Sequence, residues 1–267
     1  MKELKLAVIG KDVSGSVSPE IHTFIAEAMG NKISYAKISV PEDGFEGQID
    51  KIIGEYDGFN VTIPYKLSII PHLKKTVGDA KIFGAVNTVT TRDLCGNNTD
   101  GLGFELMLLN NGVEVAGKRA LVLGAGGAGR SVAKKLLDAG AEVSVYDRFT
   151  ENVRNLAEEF KGIIPLESIE IKPYFLIVNA TGVGMHKSVG QSPVGEELIA
   201  LSEVAVDLIY TPAKSRFLEI AESLGKKIIN GHGMLFYQAY FSECIYFGAT
   251  PDKEQAKKLF MQYQKEN

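Results

Sequence analysis

Arg119-Ala120-Leu121-Val122-Leu123-Gly124-Ala125-Gly126-Gly127-Ala128-Gly129 is the stretch that decides how this chain folds. Its first residues form an almost wholly apolar run, the pattern expected of a parallel strand covered on both faces. The glycines follow without a spacer, and a helical pattern continues from Arg130 to about Ala139. Gly124, Gly126 and Gly129 therefore complete Gly-x-Gly-x-x-Gly in the required strand, turn and helix context. Such a turn lets backbone amides approach a pyrophosphate, which the positive end of the helix also attracts. The backbone of Gly124, Ala125, Gly126, Gly127 and Ala128 is thus expected to hold a dinucleotide.

Downstream, a strand over Glu142 to Tyr146, a helix over Asn152 to Phe160, and strands at Phe175 to Val178 and Val204 to Asp207 continue the alternation. Strand and helix in this order predict an α/β fold with a Rossmann-like, doubly wound sheet. The residue meeting the adenosine ribose is expected about 20 positions past the first glycine. Asp147 stands 23 positions past Gly124, with Arg148 next to it. A carboxylate accepts from a free 2′-hydroxyl and repels a 2′-phosphate, whereas a guanidinium binds the phosphate. The two neighbours point to different cofactors, NAD and NADP.

Upstream, Leu6 to Ile9 reads as a buried strand, and Ser18-Pro19-Glu20 supplies a cap, a proline and an acid for a helix to about Met29. Strand-like runs at Ser34 to Val40, Gly58 to Ile63 and Ala85 to Thr90 alternate with helix-like segments at Gly47 to Tyr56 and Lys66 to Leu73. This is a second, smaller α/β unit. Two helices, one from Gly231 and one from about Pro251, close the chain. With 267 residues, two domains are expected. The predicted division places residues 1–103 and 236–267 in a substrate domain and residues 104–235 in a dinucleotide domain.

Composition narrows the class. Hydrophobic residues make up 45% and charged ones 23%, as in ordinary globular proteins. The net charge of −4 and the scattered lysines give no track for nucleic acid. The longest charge-poor stretches fall short of the roughly 18 apolar residues of a membrane span. Met1-Lys2-Glu3-Leu4-Lys5 is too charged for the start of a signal peptide, so the expected location is cytoplasmic. Two isolated cysteines and four histidines without ligand spacing predict neither a disulfide nor a metal.

Four polar segments lie at predicted strand ends: Ser16-Val17-Ser18-Pro19, Asn60-Val61-Thr62-Ile63-Pro64-Tyr65-Lys66, Gly84-Ala85-Val86-Asn87-Thr88 and Asn97-Asn98-Thr99-Asp100-Gly101. In open α/β sheets ligands gather beyond the carboxyl ends of strands, so these segments are expected to converge. Their hydroxyls, amides, ammonium and carboxylate suit a small polyhydroxylated acid. The segments, with Asn179-Ala180-Thr181, Asp207 to Pro212 and Gly231 to Ala239, resemble the motifs of the shikimate dehydrogenase family across nearly the whole chain.

That resemblance implies reversible NADPH-dependent reduction of 3-dehydroshikimate to shikimate, in aromatic amino acid biosynthesis. It implies Lys66 and Asp100 as a coupled catalytic pair. Ser16 and Ser18 would hold the substrate carboxylate, Thr62, Asn87 and Gln238 its hydroxyls, and Tyr210 would also touch substrate. Asn179, Ala180, Thr181, Gly231 and Met234 would line the nicotinamide side of the cofactor. The residue chemistry agrees in part: two hydroxyls beside a helix N-terminus favour an anion, and an ammonium stabilises a carbonyl oxygen that gains charge. Isolated, Ser18 is equally a helix cap, Lys66 is an exposed residue starting a helix, Asp100 is a turn residue before Gly101, and Met234 is core packing.

The family commonly reads Asn-Arg-Thr where this chain has Asp147-Arg148-Phe149, with Asn152 in place of a further arginine. Arg148 and the resemblance favour NADP, with NAD the alternative. A quinate/shikimate dehydrogenase using NAD and a non-catalytic ligand-binding regulator of the same fold are the rival readings. A monomer or homodimer is expected.

Overall fold

The structure is a computed structural model that describes residues 3–266. The chain divides into two compact units, one running to Gly103 and resuming at Phe236, the other spanning Phe104–Leu235.

In the first unit the elements are β1 (Leu4–Gly10), α1 (Ser18–Ala28), β2 (Ile33–Ser39), α2 (Phe45–Glu55), β3 (Gly58–Val61), β4 (Lys75–Thr76), α3 (Asp79–Phe83), β5 (Thr88–Thr90), β6 (Cys95–Asn97) and the start of α4 (Asp100–Asn110). The six strands form one sheet in the order β2-β1-β3-β5-β6-β4. Strands β1, β2 and β3 are parallel, whereas β5 runs antiparallel to both β3 and β6. Ala7, Ile9, Phe59, Val61 and Val89 from the sheet pack against Phe45, Ile49 and Ile52 of α2. Full burial of such side chains contributes about 1.5–3 kcal/mol each and fixes which face of the sheet is dry.

The second unit continues with β7 (Arg119–Leu123), α5 (Gly127–Asp138), β8 (Glu142–Tyr146), α6 (Thr150–Glu159), β9 (Ile164–Leu166), β10 (Tyr174–Asn179), α7 (Glu196–Ala200), β11 (Ser202–Asp207), α8 (Arg216–Ser223) and β12 (Lys227–Ile229). Its strands are all parallel, in the order β12-β11-β10-β7-β8-β9. This is the doubly wound order, with the switch between β7 and β10. Ala120, Leu121, Val122 and Leu123 are all buried, as a parallel strand covered on both faces requires.

Helix α9 (His232–Phe247) returns the chain to the first unit, and α10 (Lys253–Glu266) ends it. On α1, His22 pairs with Glu243 of α9 at 2.6 Å, both fully buried, while Phe24 meets the rings of Phe236 and Tyr263. His22 is thus one half of a buried polar pair and more than helix packing.

Two sequence expectations differ from the structure. No α-helix forms from Lys66 to Leu73; turns lead to a single 3-10 turn at Ile70–His72. Pro71 lacks an N–H and disfavours the helical conformation at Ile70, which prevents propagation there. The strand expected from Ala85 begins at Thr88, because Val86 N donates to Lys66 O at 2.7 Å instead of joining a ladder.

Candidate active site

Strand polarity brings the polar segments of the first unit to one end of its sheet. Strands β1 and β3 are parallel, so the Ser16 loop and the Thr62–Lys66 turn both leave their carboxyl ends. Antiparallel pairing sets Thr88, at the start of β5, opposite Asn60 and Asn97, which places Asn87 and the Asn98–Asp100 turn at that same end.

Lys66 Nζ donates to Asp100 Oδ2 at 2.5 Å, with side chains 14% and 8% exposed. Asp100 Oδ1 accepts from Asn87 Nδ2 at 2.9 Å. The same amide nitrogen lies 3.3 Å from Gln238 Oε1 and 3.0 Å from Thr99 Oγ1. Asp100 opens α4, and its own N–H donates to Asn98 Oδ1 at 3.0 Å, which fixes the turn. An ammonium, a carboxylate and two amides thus meet in a largely water-excluded site, where each polar contact is stronger than in water.

Ser16 Oγ accepts from Ser18 N at 3.2 Å and donates to Ser18 Oγ at 3.0 Å. Ser18 does not cap the helix: Val17 takes the N-cap position with no side-chain cap bond, and Ser18 is the first helical residue. Its hydroxyl is therefore held by Ser16 beside the amino end of α1. Thr62 sits at the carboxyl end of β3, where its N–H donates to Ile9 O at 2.9 Å. Among the described residues no hydrogen bond joins Ser16, Ser18 or Thr62 to the Lys66 cluster.

In the second unit the glycine turn lies at the sheet's switch point. Gly124 has φ +103°, in the left-handed region, and an added Cβ would stand 2.9 Å from Ala180 O. Gly129 has less room still, because its Cβ would lie 2.0 Å from Gly124 O. A Cβ on Gly126 meets nothing within 4 Å, so the space beside its Cα is open at the amino end of α5. Those three environments match the roles of tight turn, phosphate approach and helix packing that the fingerprint assigns to its glycines.

Asp147 Oδ2 accepts from Ala125 N at 2.7 Å and Oδ1 from Phe149 N at 2.9 Å. Its carboxylate therefore braces the glycine turn. Arg148 stacks its guanidinium 4.7 Å from the Phe149 ring centroid, and that ring is 58% exposed. A planar cation on an open aromatic face is suited to a phosphate beside an adenine.

The Asn179–Thr181 turn follows β10, next to β7, and Ala180 N donates to Leu123 O at 2.8 Å. Asn179 Oδ1 accepts from Thr181 N and Oγ1, and Asn179 Nδ2 donates to Asp207 Oδ1 at 3.0 Å. Asp207 also accepts from Ile209 N at 3.0 Å and from Ser215 Oγ at 2.5 Å, the N-cap of α8. Burial pushes the Asp207 carboxyl up from its usual range, and the Ser215, Ile209 and Asn179 hydrogen bonds oppose that shift. Tyr210 follows this anchor, its phenol raised by burial, with its ring centroid 6.0 Å from that of His232. Gly231 is tightly held, since a Cβ there would stand 2.1 Å from Leu208 O, and Met234 is buried.

The sequence alone assigns Asn60, Thr88, Thr99, Asp207 and Ser215 no role of their own, and Asn60, Thr88, Thr99 and Asp207 stand there only within longer segments. Their one signal was polarity inside otherwise apolar strands and turns.

Residues 8–89 match the shikimate dehydrogenase substrate binding domain, and residues 107–189 match shikimate / quinate 5-dehydrogenase. The shikimate dehydrogenase (NADP(+)) of Carboxydothermus hydrogenoformans is 36% identical over 96% of each chain. This chain belongs to the shikimate dehydrogenase family. Among solved structures, the chorismate mutase/shikimate 5-dehydrogenase fusion protein of Clostridium acetobutylicum matches with a TM-score of 0.89 at 33% identity, covering 100% of this chain and 99% of that one. The Thermus thermophilus shikimate 5-dehydrogenase in complex with NADP(H) and shikimate matches with a TM-score of 0.85 at 38% identity, covering 97% and 99%. Family membership accounts for the pairing of a doubly wound unit with a second α/β unit, which with its C-terminal helices is not the smaller of the two. No helix of the described residues is long and apolar enough to cross a membrane.

Proposed function

We propose that this chain catalyses the reversible reduction of 3-dehydroshikimate to shikimate with NADPH, and that Lys66 and Asp100 carry the proton chemistry. The observation that carries the reading is the 2.5 Å Lys66–Asp100 pair, with Asn87 on the other carboxylate oxygen, at the carboxyl end of the sheet. NADPH, when bound along the glycine turn, supplies the hydride. Lys66 then holds positive charge at the substrate carbonyl oxygen and gives it a proton as the carbon is reduced; in oxidation the proton returns to the pair. Asp100 keeps the ammonium in place.

Ser16 and Ser18 bind the substrate carboxylate at the amino end of α1, where hydroxyl donors and the helix dipole both favour an anion. Asn87, Gln238 and Thr62 orient the ring hydroxyls, and Tyr210 also touches substrate. Gly124 to Ala128 take the pyrophosphate, Asn179, Ala180, Thr181, Gly231 and Met234 line the nicotinamide end, and Arg148 takes the 2′-phosphate. The open space beside Gly126 fits this use. Residues 1–103 with 236–267 form the substrate domain and residues 104–235 the cofactor domain. In the same reading the enzyme works in the cytoplasm as a monomer or homodimer.

One observation favours a second cofactor. Asp147 occupies the ribose position with its carboxylate tied to Ala125 N, and that negative charge penalises a 2′-phosphate. NAD is therefore the alternative, together with quinate as substrate. Steady-state kinetics with shikimate and quinate against NADP and NAD separates the readings. The proposal expects shikimate with NADP to give the highest kcat/KM, and a larger value for NAD or for quinate overturns it.

A further inference from the structure

We propose that Asn60 is a positioning residue: through Thr88 it orients the Asn87 amide that holds Asp100 against Lys66. The inference rests on the reading of Lys66 and Asp100 as the catalytic pair.

Asn60 is 6% exposed, yet both ends of its amide are engaged. Its Oδ1 accepts from Tyr35 OH at 2.8 Å and from Tyr246 OH at 3.0 Å. Its Nδ2 lies 3.1 Å from Asn87 O, 3.2 Å from Thr88 Oγ1 and 3.2 Å from Ser242 Oγ. A backbone carbonyl only accepts, so the atom facing Asn87 O must be the nitrogen, and the amide has one orientation. Burial pushes the phenols of Tyr35 and Tyr246 well above their usual range, which keeps both as donors at working pH.

Direction then propagates. Thr88 Oγ1 receives a hydrogen from Asn60 and donates to Asn87 Oδ1 at 2.9 Å, with Ser242 Oγ as a second partner 2.8 Å away. Thr99 N donates to the same oxygen at 2.9 Å. With Oδ1 fixed by two donors, the Asn87 NH2 group must face Asp100 Oδ1, 2.9 Å away. Every bond from Tyr35 to Asp100 donates in one direction, and the chain ends on the carboxylate bound to Lys66. Asn60, Thr88, Asn87 and Asp100 are all buried, so a flipped Asn87 would set oxygen against carboxylate with no water to relieve it.

This arrangement differs from ordinary core polarity because its last member contacts the reacting pair. A loss of orientation moves Asp100 and Lys66 without emptying the cofactor site, and misplacement by about 1 Å is enough to cost about a hundredfold in rate.

Thr88→Val and Thr88→Ser test it. Valine keeps the volume of threonine and deletes the hydroxyl, whereas serine keeps the hydroxyl. We expect Thr88→Val to lower kcat at least about tenfold with KM for NADPH unchanged, and Thr88→Ser to stay within about threefold of wild type. Asn60→Asp, which keeps shape but replaces the donor by an acceptor, should lower kcat further. If Thr88→Val folds and turns over within about twofold of wild type, or if Thr88→Ser loses as much as Thr88→Val, the positioning role is wrong. The assignment of the pair is checked separately by Lys66→Ala. An active Lys66→Ala enzyme overturns that assignment, while an inactive one beside a normal Thr88→Val enzyme overturns only the role of Asn60.

Discussion

Alanine at Gly126 and at Gly129 should separate cofactor recognition from folding, although the two glycines lie in the same turn. At Gly129 an added Cβ stands 2.0 Å from Gly124 O and 2.8 Å from Gly124 C, whereas real contacts essentially never fall below 3.0 Å. Both neighbours are backbone, so the turn and the first turn of α5 must part by about 1 Å or more to restore ordinary contact. Overpacking of that kind costs about 1–3 kcal/mol of stability. The displaced amides no longer match the pyrophosphate, and affinity for NADPH should fall about a hundredfold.

Gly126 is the opposite case. Its φ of −71° suits any residue, and its Cβ would meet nothing within 4 Å. Gly126→Ala should therefore melt at or slightly above the wild-type temperature, since alanine restricts the unfolded chain by about 0.4–1 kcal/mol. The methyl group nevertheless stands where the phosphate approaches, and binding should weaken by at least about tenfold. Thermal unfolding and NADPH titration by fluorescence, on both variants, give the four numbers required. Wild-type NADPH affinity in Gly126→Ala would refute phosphate binding at that amide. Undiminished stability in Gly129→Ala would refute the account of loop and helix packing.

The buried His22–Glu243 pair leaves His22 Nε2 and Glu243 Oε2 without partners, so removing one member strands the other. His22→Leu should cost about 3–5 kcal/mol in urea unfolding, and adding Glu243→Met should recover most of it; a single-variant cost below about 1 kcal/mol would count against the pair. Ser16→Ala with Ser18→Ala should raise KM for shikimate by at least about tenfold with little change in kcat, and an unchanged KM removes the carboxylate role. Stability should also fall at high pH, because burial raises the Tyr246 phenol well above 10 and the Tyr240 phenol to about 12. Unfolded phenols ionise near pH 10, so above that value the unfolded chain binds fewer protons, and unfolding becomes easier by about 1.4 kcal/mol per pH unit for each phenol. Urea midpoints flat from pH 9 to pH 11.5 would contradict this.

Much of the fold was legible because its decisive signals are local. The apolar run at Arg119 to Leu123 and the glycines behind it specify a covered parallel strand and a phosphate turn with no help from the rest of the chain. Where Pro71 interrupts the expected helix after Lys66, local pattern suggested a helix and the missing N–H won. The site was legible as segments but not as contacts. Lys66, Asn87 and Asp100 stood out as polar residues at strand ends, yet their joining depends on β5 running antiparallel to its neighbours. Ser18 looked like a cap, and its hydroxyl is instead taken by Ser16. Asp147 reads from the sequence as a ribose ligand or a solvated strand end, and its carboxylate accepts from Ala125 N. Asn60, Thr88 and Ser242 gain their meaning only from partners far away in sequence, which no periodicity reveals.

Turnover by Lys66→Ala tests the central claim most directly, measured with shikimate and NADP and paired with NADPH titration of the same sample. The account predicts that kcat falls about 10²–10⁴-fold while the NADPH dissociation constant stays within about twofold of wild type. A kcat within about threefold of wild type, with cofactor binding intact, would contradict it.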